Sequence, residues 1–158
     1  MTTTRQDLHV EIREYPAQDY LGVEFEAALA AVGESVAAAY SRIFTHLAGE
    51  RIQPAGPPFL IPSPPAGGSM RILAGVPTAG AANGAGDLRP GQLTGGRAAV
   101  TVHRGPYEQV APVLDQLRAW LAAHGHVPAG PPREVYLNGP GDVASPADYL
   151  TELVWPIA

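Results

Sequence analysis

Apolar positions along the chain switch from an alternating period to a helical one and back, and they do so twice. His9 to Tyr15 alternates around Val10 and Ile12 and reads as an edge strand closed by Pro16. From Asp19 to Ala27 the alternation continues, with Leu21, Val23 and Phe25 on one face and Glu24 and Glu26 on the other. Beyond Gly33 the spacing becomes helical: Val36, Tyr40, Ile43 and Leu47 form one apolar stripe between Glu34 and about Ala48, with Gly49 as the expected stop. Phe59-Leu60-Ile61 and Met70 to Val76 then read as two strands separated by the turn Pro62 to Gly68.

The second pass begins with Arg97 to His103, a strand with Val100 and Val102 on one face. Gly105-Pro106-Tyr107-Glu108 turns it into a helix that runs to about Ala123 and carries Val110, Leu114, Leu117 and Leu121 as its stripe. Pro112 belongs in that helix's first turn, because deeper inside it would cost about 3 kcal/mol. Glu134 to Leu137 and Leu150 to Pro156 are the last two expected strands. Between the passes, Thr78 to Gly91 is rich in Gly and Ala and is expected to be a mobile crossover loop.

The two passes are copies. Pro54-Ala55-Gly56-Pro57-Pro58 recurs as Pro128-Ala129-Gly130-Pro131-Pro132, 74 positions later, and the helical stripes match at the same offset. Upstream, the same offset sets Pro16, Gln18 and Gly22 against Pro90, Gln92 and Gly96. Downstream the offset becomes 79, where Val76-Pro77 matches Trp155-Pro156, so the second copy holds about five more loop residues. The expected architecture is α+β: one domain over 1–158, made of two pseudo-twofold strand-helix-strand-strand units at about 8–78 and 87–158. The expected sheet is mostly antiparallel, with both helices on one face and a ligand groove on the other.

Composition narrows the function. A net charge of -5 argues against nucleic acid, which selects a basic face. With no Cys there are no disulfides, no thiolate chemistry and no Cys-based zinc site. No apolar run reaches about 18 residues and no basic leader precedes an apolar one, so the expectation is a cytoplasmic protein without membrane attachment. His9, His46, His103, His124 and His126 are scattered and do not make a metal signature, and the Gly-rich segment lacks a phosphate-binding pattern, so neither metal nor cofactor is expected.

Three short stretches carry a resemblance: His103-Arg104-Gly105-Pro106-Tyr107-Glu108, Gly130-Pro131-Pro132-Arg133-Glu134-Val135-Tyr136, and Thr151-Glu152-Leu153-Val154-Trp155-Pro156-Ile157. In this order, inside a duplicated unit, the chain resembles the gyrase-inhibitor-like (GyrI-like) small-molecule-binding domains, the effector-binding fold of multidrug-responsive transcription activators. The resemblance implies a stand-alone binding protein for bulky hydrophobic, cationic small molecules, with an acidic residue near the centre of the site and aromatic walls. It implies as an alternative a hydrolase that opens cyclopropane rings of alkylating natural products, and as a third reading a modulator of a protein target such as gyrase. Only about eight residues precede the first expected strand, so no helix-turn-helix is expected ahead of the domain. The chain departs from the family pattern at Arg71 and Leu73, where acids are usual, and at Pro62, where Tyr136 would repeat. The site is therefore expected to be one-sided.

Glu152 is the leading candidate acid, because it interrupts the otherwise apolar Leu150 to Trp155, where an unpaired buried charge would cost several kcal/mol. It would pair with a ligand cation or activate water. Its structural alternative is a carboxylate held by Arg97 or Arg133, or facing solvent. Tyr107 and Tyr136 are candidate aromatic walls or proton donors, and core aromatics on the alternative reading. Trp155, Phe59 and Trp120 complete the candidate ligand-binding set, with Trp120 also suited to helix–sheet packing. Glu24 and Glu26 face either solvent or the groove. Glu134 shares a strand face with Tyr136 and is the reserve acid. Oligomeric state, monomer or dimer, is left open.

Overall fold

The computed structural model describes residues 8–158. Eight strands and two long helices follow in the order β1 (Glu11–Tyr15), β2 (Gln18–Ala28), α1 (Val32–Gly49), β3 (Phe59–Pro62), β4 (Ser69–Pro77), β5 (Arg89–Leu93), β6 (Gly96–Arg104), α2 (Val110–Ala123), β7 (Arg133–Tyr136) and β8 (Leu150–Pro156). The strands form one antiparallel sheet in the order β1-β6-β8-β7-β3-β4-β2-β5. The α+β architecture expected from the periodicity is the one observed, with both helices on one face.

The apolar stripes explain that arrangement. Ala39, Ile43 and Leu47 of α1 pack on Leu21, Val23, Ile72 and Ala74. Val110, Leu117 and Leu121 of α2 pack on Ala99, Leu153 and Trp155. Each fully buried Leu or Ile in these layers contributes about 1.5–3 kcal/mol. Pro112 is the third residue of α2, inside the first turn as required. Both helices end alike. Arg51 (φ 57°) and Gly125 (φ 73°) take the left-handed conformation, and the next residues, Ile52 and His126, donate back to the carbonyls of Leu47 and Leu121, both at 2.9 Å. The stop of α1 is thus Arg51 and not the expected Gly49, which is still helical.

Strand register defines the repeat. Leu60 pairs with Glu134, its own counterpart at an offset of 74, so the pseudo-twofold axis passes between β3 and β7. Phe59 faces Gly75 as Arg133 faces Val154, which sets an offset of 79 for β4 and β8. Tyr20 faces Pro77 as Ala98 faces Pro156, which sets 78 for β2 and β6. Gly22 therefore corresponds to Val100 and not to Gly96; the upstream matches at 74 are coincidences of composition. The second copy loses four residues around its shorter helix and gains five between β7 and β8.

The Gly/Ala-rich connection also differs from expectation. Its last residues form β5, which pairs with the edge of β2, while β1 pairs with β6 in the other half. Ala82 and Leu88 are buried beneath α1, the His46 ring nitrogen meets the Asn83 carbonyl at 2.8 Å, and Arg42 pairs with Asp87. Periodicity missed this strand because Arg89-Pro90-Gly91-Gln92-Leu93 has almost no apolar alternation. Gly91 is required there: a Cβ would run into the ring of Tyr20.

Candidate functional site

At the axis, alternation along β7 sends neighbouring residues to opposite faces. Arg133 and Val135 point to the helix-free face, as do their partners Val154, Glu152 and Phe59. Glu134 and Tyr136 point to the helix side, into the seam between α1 and α2. The Tyr136 hydroxyl donates to Glu134 Oε1 at 3.3 Å. Tyr40 of α1 meets the Tyr136 ring edge-on at 6.3 Å, and its hydroxyl is fixed by donating to the Phe59 carbonyl at 2.5 Å. Tyr107, in the short 3₁₀ turn before α2, meets Tyr136 edge-on at 5.3 Å and stacks on Tyr149 at 4.7 Å. Four of the chain's six tyrosines thus form one run of ring contacts, in which Tyr136 bonds the Glu134 carboxyl and Tyr40 feels its charge.

The second copy's extra loop supplies one member of this cluster, Tyr149. The backbone N–H of Leu150 donates to Asn138 Oδ1 at 2.8 Å, Asn138 Nδ2 donates to the Asp148 carbonyl at 3.1 Å, and the Gly105 N–H donates to the Tyr149 carbonyl at 2.9 Å. These bonds hold Tyr149 against Tyr107. Tyr107 is 37% exposed and forms the outer edge of the cluster. Among the described residues no Arg, Lys or His lies within ion-pair distance of Glu134. Burial pushes its carboxyl above the ordinary glutamate value, against the hydrogen bond from Tyr136. Burial likewise pushes the Tyr40, Tyr107 and Tyr136 hydroxyls upward, helped at Tyr40 and Tyr136 by the Glu134 charge. The pair-mate of Glu134 in the other half is Leu60, 5% exposed. Symmetry places an apolar core residue at this position, and the second copy carries a charge there instead.

Glu152 lies on the other face. Its register opposite Val135 puts it one residue out of phase with Tyr136, which faces Thr151. Glu152 and the two tyrosines therefore do not converge, and a single substrate does not reach both. Its carboxylate accepts from Arg13 Nη1 at 3.3 Å, a partner the sequence reading did not name. Glu152 and Phe59 instead line a shallow pocket of about 190 Å³ on the helix-free face, together with Tyr15, Arg133 and Val154. Phe59 is buried over Gly75, with Tyr20 edge-on at 5.2 Å. Trp155 belongs to the layer under α2, where the Arg118 guanidinium sits 5.6 Å above its ring. Trp120 packs at the end of the same helix, stacked at 4.0 Å with His124 and at 5.6 Å with His126. Glu24 and Glu26 are exposed, bound by Arg71 at 2.8 Å and by Ser69 at 2.6 Å.

The sequence profile of the GyrI-like small molecule binding domain matches residues 8–158. The chain belongs to this GyrI-like family. Solved structures add the fold. An EcmrR–DNA complex is similar at TM-score 0.83 and 16% identity over 94% of this chain and 57% of EcmrR, so the chain spans little more than half of that protein. The EcmrR C-terminal domain alone is similar at TM-score 0.77 and 15% identity, over 97% of this chain and 99% of that domain. A hydrolase from Listeria innocua is similar at TM-score 0.69 and 11% identity, over 98% and 94%. SAV2435 bound to tetraphenylphosphonium is similar at TM-score 0.61 and 13% identity, over 96% and 94%. No curated protein matches the chain in sequence. Membership in the GyrI-like family makes this a small-molecule-binding domain. Among the described residues no helix is long and apolar enough to cross a membrane.

Two members of the GyrI-like cluster, Tyr40 and Tyr149, lay outside the predicted site. Tyr40 falls on the apolar stripe of α1 and looks like core from its spacing. Tyr149 follows a Gly/Pro-rich loop with no periodicity. Glu134 did leave a trace, since it sits two residues from Tyr136 on one strand and so shares its face.

Proposed function

We propose that this GyrI-like domain binds bulky hydrophobic cations in the seam between α1 and α2, with Glu134 as counter-charge and Tyr40, Tyr107, Tyr136 and Tyr149 as aromatic walls. The observation that carries the reading is a carboxyl held above its ordinary pKa, without a basic partner among the described residues, bonded by Tyr136 at the head of a cluster of tyrosines. An uncompensated buried carboxylate is costly, and a cation relieves that cost. Tyrosine faces add about 0.5–2 kcal/mol each to a cation seated over them. The relative SAV2435, solved with tetraphenylphosphonium, supplies a ligand of this chemistry. Binding of tetraphenylphosphonium, measured by calorimetry on wild type and Glu134→Gln, tests it. Equal affinities would remove Glu134 from the site.

A second reading rests on the 3.3 Å contact between Tyr136 and Glu134. A carboxyl of raised pKa next to a phenol is suited to activating water while the phenol protonates a leaving group. In this form the cyclopropane-opening hydrolase uses Glu134 where the sequence alone favoured Glu152. Mass spectrometry of a cyclopropane-bearing alkylator after incubation decides it; ring-opened product no greater than with Glu134→Ala excludes hydrolysis.

A further inference from the structure

The residue before Glu134 poses the same question on the other side of the sheet. Arg133 is the counterpart of Phe59, just as Glu134 is the counterpart of Leu60. Phe59 is 1% exposed and fills its half of the helix-free face. In the second half a guanidinium stands in that place, partly buried, with its centre 5.3 Å above the Tyr15 ring. Among the described residues it makes no hydrogen bond and no ion pair. Glu152, the acid that faces the same way, is held by Arg13 at 3.3 Å. Burial lowers the pKa of Arg133 from the ordinary arginine value, against the nearby Tyr15 and Glu152, which favour its charge, so that charge is kept there against a solvation cost that they offset only in part. The Tyr15 hydroxyl beside it is buried and makes no hydrogen bond of good geometry, although the Arg13 guanidinium lies near it. A half-buried guanidinium with no hydrogen bond to the protein, beside a buried hydroxyl on a groove wall, is open to a ligand that enters the groove.

The groove supplies one. It has a volume of about 390 Å³, and its lining contains no acidic residue. The two charged residues that line it are Arg97 and Arg133, and Tyr20, Ile61, Leu73 and Leu93 provide apolar walls. In a chain of net charge -5 this is a local reversal of sign. We infer that the helix-free groove is a second ligand site, for a flat apolar molecule carrying a carboxylate, with Arg133 as the group that grips the anion. Arginine suits this role because its planar fork meets both carboxylate oxygens at once. The two sites are back to back, separated by the thickness of one strand, and select ligands of opposite charge.

The test uses 2-naphthoate and its neutral analogue 2-naphthamide, titrated calorimetrically into the full chain. Wild type is expected to prefer the carboxylate by about tenfold or more. Arg133→Gln and Arg133→Met are expected to abolish that preference, and Glu134→Gln to leave it within about twofold. Saturating tetraphenylphosphonium is expected not to displace naphthoate. Leu93→Trp, which fills the groove and leaves Arg133 in the sequence, is expected to block both naphthyl probes and keeps the test valid should the Arg133 variants fold poorly. The inference is overturned if wild type does not bind naphthoate at about 1 mM, if Arg133→Met keeps the preference, or if tetraphenylphosphonium competes. None of these results bears on cation binding at Glu134, which is scored by its own titration.

Discussion

Glu134 and Glu152 stand on neighbouring strands near the centre of one sheet, and both interrupt apolar surroundings, yet they face opposite ways. Glu152 has an arginine partner, Arg13, that is itself 43% exposed. Glu134 has a phenol for a partner, and burial raises its pKa. The first arrangement is a charge already neutralised within the fold. The second is a charge left for something else to neutralise. A strand with period two decides which acid is which: shifting β8 by one residue against β7 would turn Glu152 to the helix side and leave Glu134 where it is. What marks a binding carboxylate is therefore less its apolar sequence context, which is the stronger at Glu152, than the absence of a cationic partner on its own face.

The comparison can be broken most forcefully at Phe59. If the helix-free face in the first half is structural, Phe59→Ala will destabilise the fold by about 3–5 kcal/mol in denaturant melts, while tetraphenylphosphonium affinity, measured where the variant remains folded, stays within about twofold. A large loss of affinity with little loss of stability would instead return Phe59 to the ligand wall. The next effect is electrostatic. Glu134→Gln is expected to weaken tetraphenylphosphonium binding by about ten- to a hundredfold, or about 1.4–2.7 kcal/mol. Glu152→Gln is expected to shift it by less than about twofold and to change stability by about 1 kcal/mol, because its Arg13 partner is exposed. The reverse ranking would invert the assignment of the two faces.

Acidity sharpens the contrast further. The Glu134 carboxyl has a folded-state pKa above 4.5, its ordinary value. The folded chain then holds this proton more tightly than the unfolded chain, so the contribution of Glu134 to stability is complete below pH 4.5 and is lost as pH rises through the folded pKa. Glu134→Gln is accordingly expected to melt higher than wild type at pH 7 and to lose that advantage below pH 4.5. Cation affinity should run the other way, rising as Glu134 ionises. A Glu134→Gln melting curve parallel to wild type across this range would show that the carboxyl is ordinary. The smallest expected effect is at the helix ends. Arg51→Gly, which gives the left-handed stop of α1 the residue that Gly125 provides for α2, should stabilise by about 0.5–1 kcal/mol without altering either titration.

Much of the fold was legible because it rests on local period. The stripes Ile43–Leu47 and Leu117–Leu121 and the alternation of β2, β6 and β8 each reflect how one face of one element is buried. The repeat was legible from the Pro-Ala-Gly-Pro-Pro pair, which lies in an ungapped stretch. Its upstream half was misaligned because four residues are lost across α2, and short matches such as Gln18 with Gln92 occur by chance. β5 escaped notice because an edge strand whose one partly buried face holds only Gly91 and Leu93 shows almost no apolar alternation.

The amino-acid order by itself determined two antiparallel halves, the helices that cover them, and a second copy that carries charges where the first is apolar. It also put Glu134 and Tyr136 on one strand face. It could not say which acid would find a partner, because Arg13 reaches Glu152 from a strand 139 positions away, and the tyrosines around Glu134 come from α1, the turn before α2, β7 and the loop before β8. Those encounters depend on strand register and on the packing of side chains across the axis. Both are set by the whole sheet at once, and no window of sequence contains them.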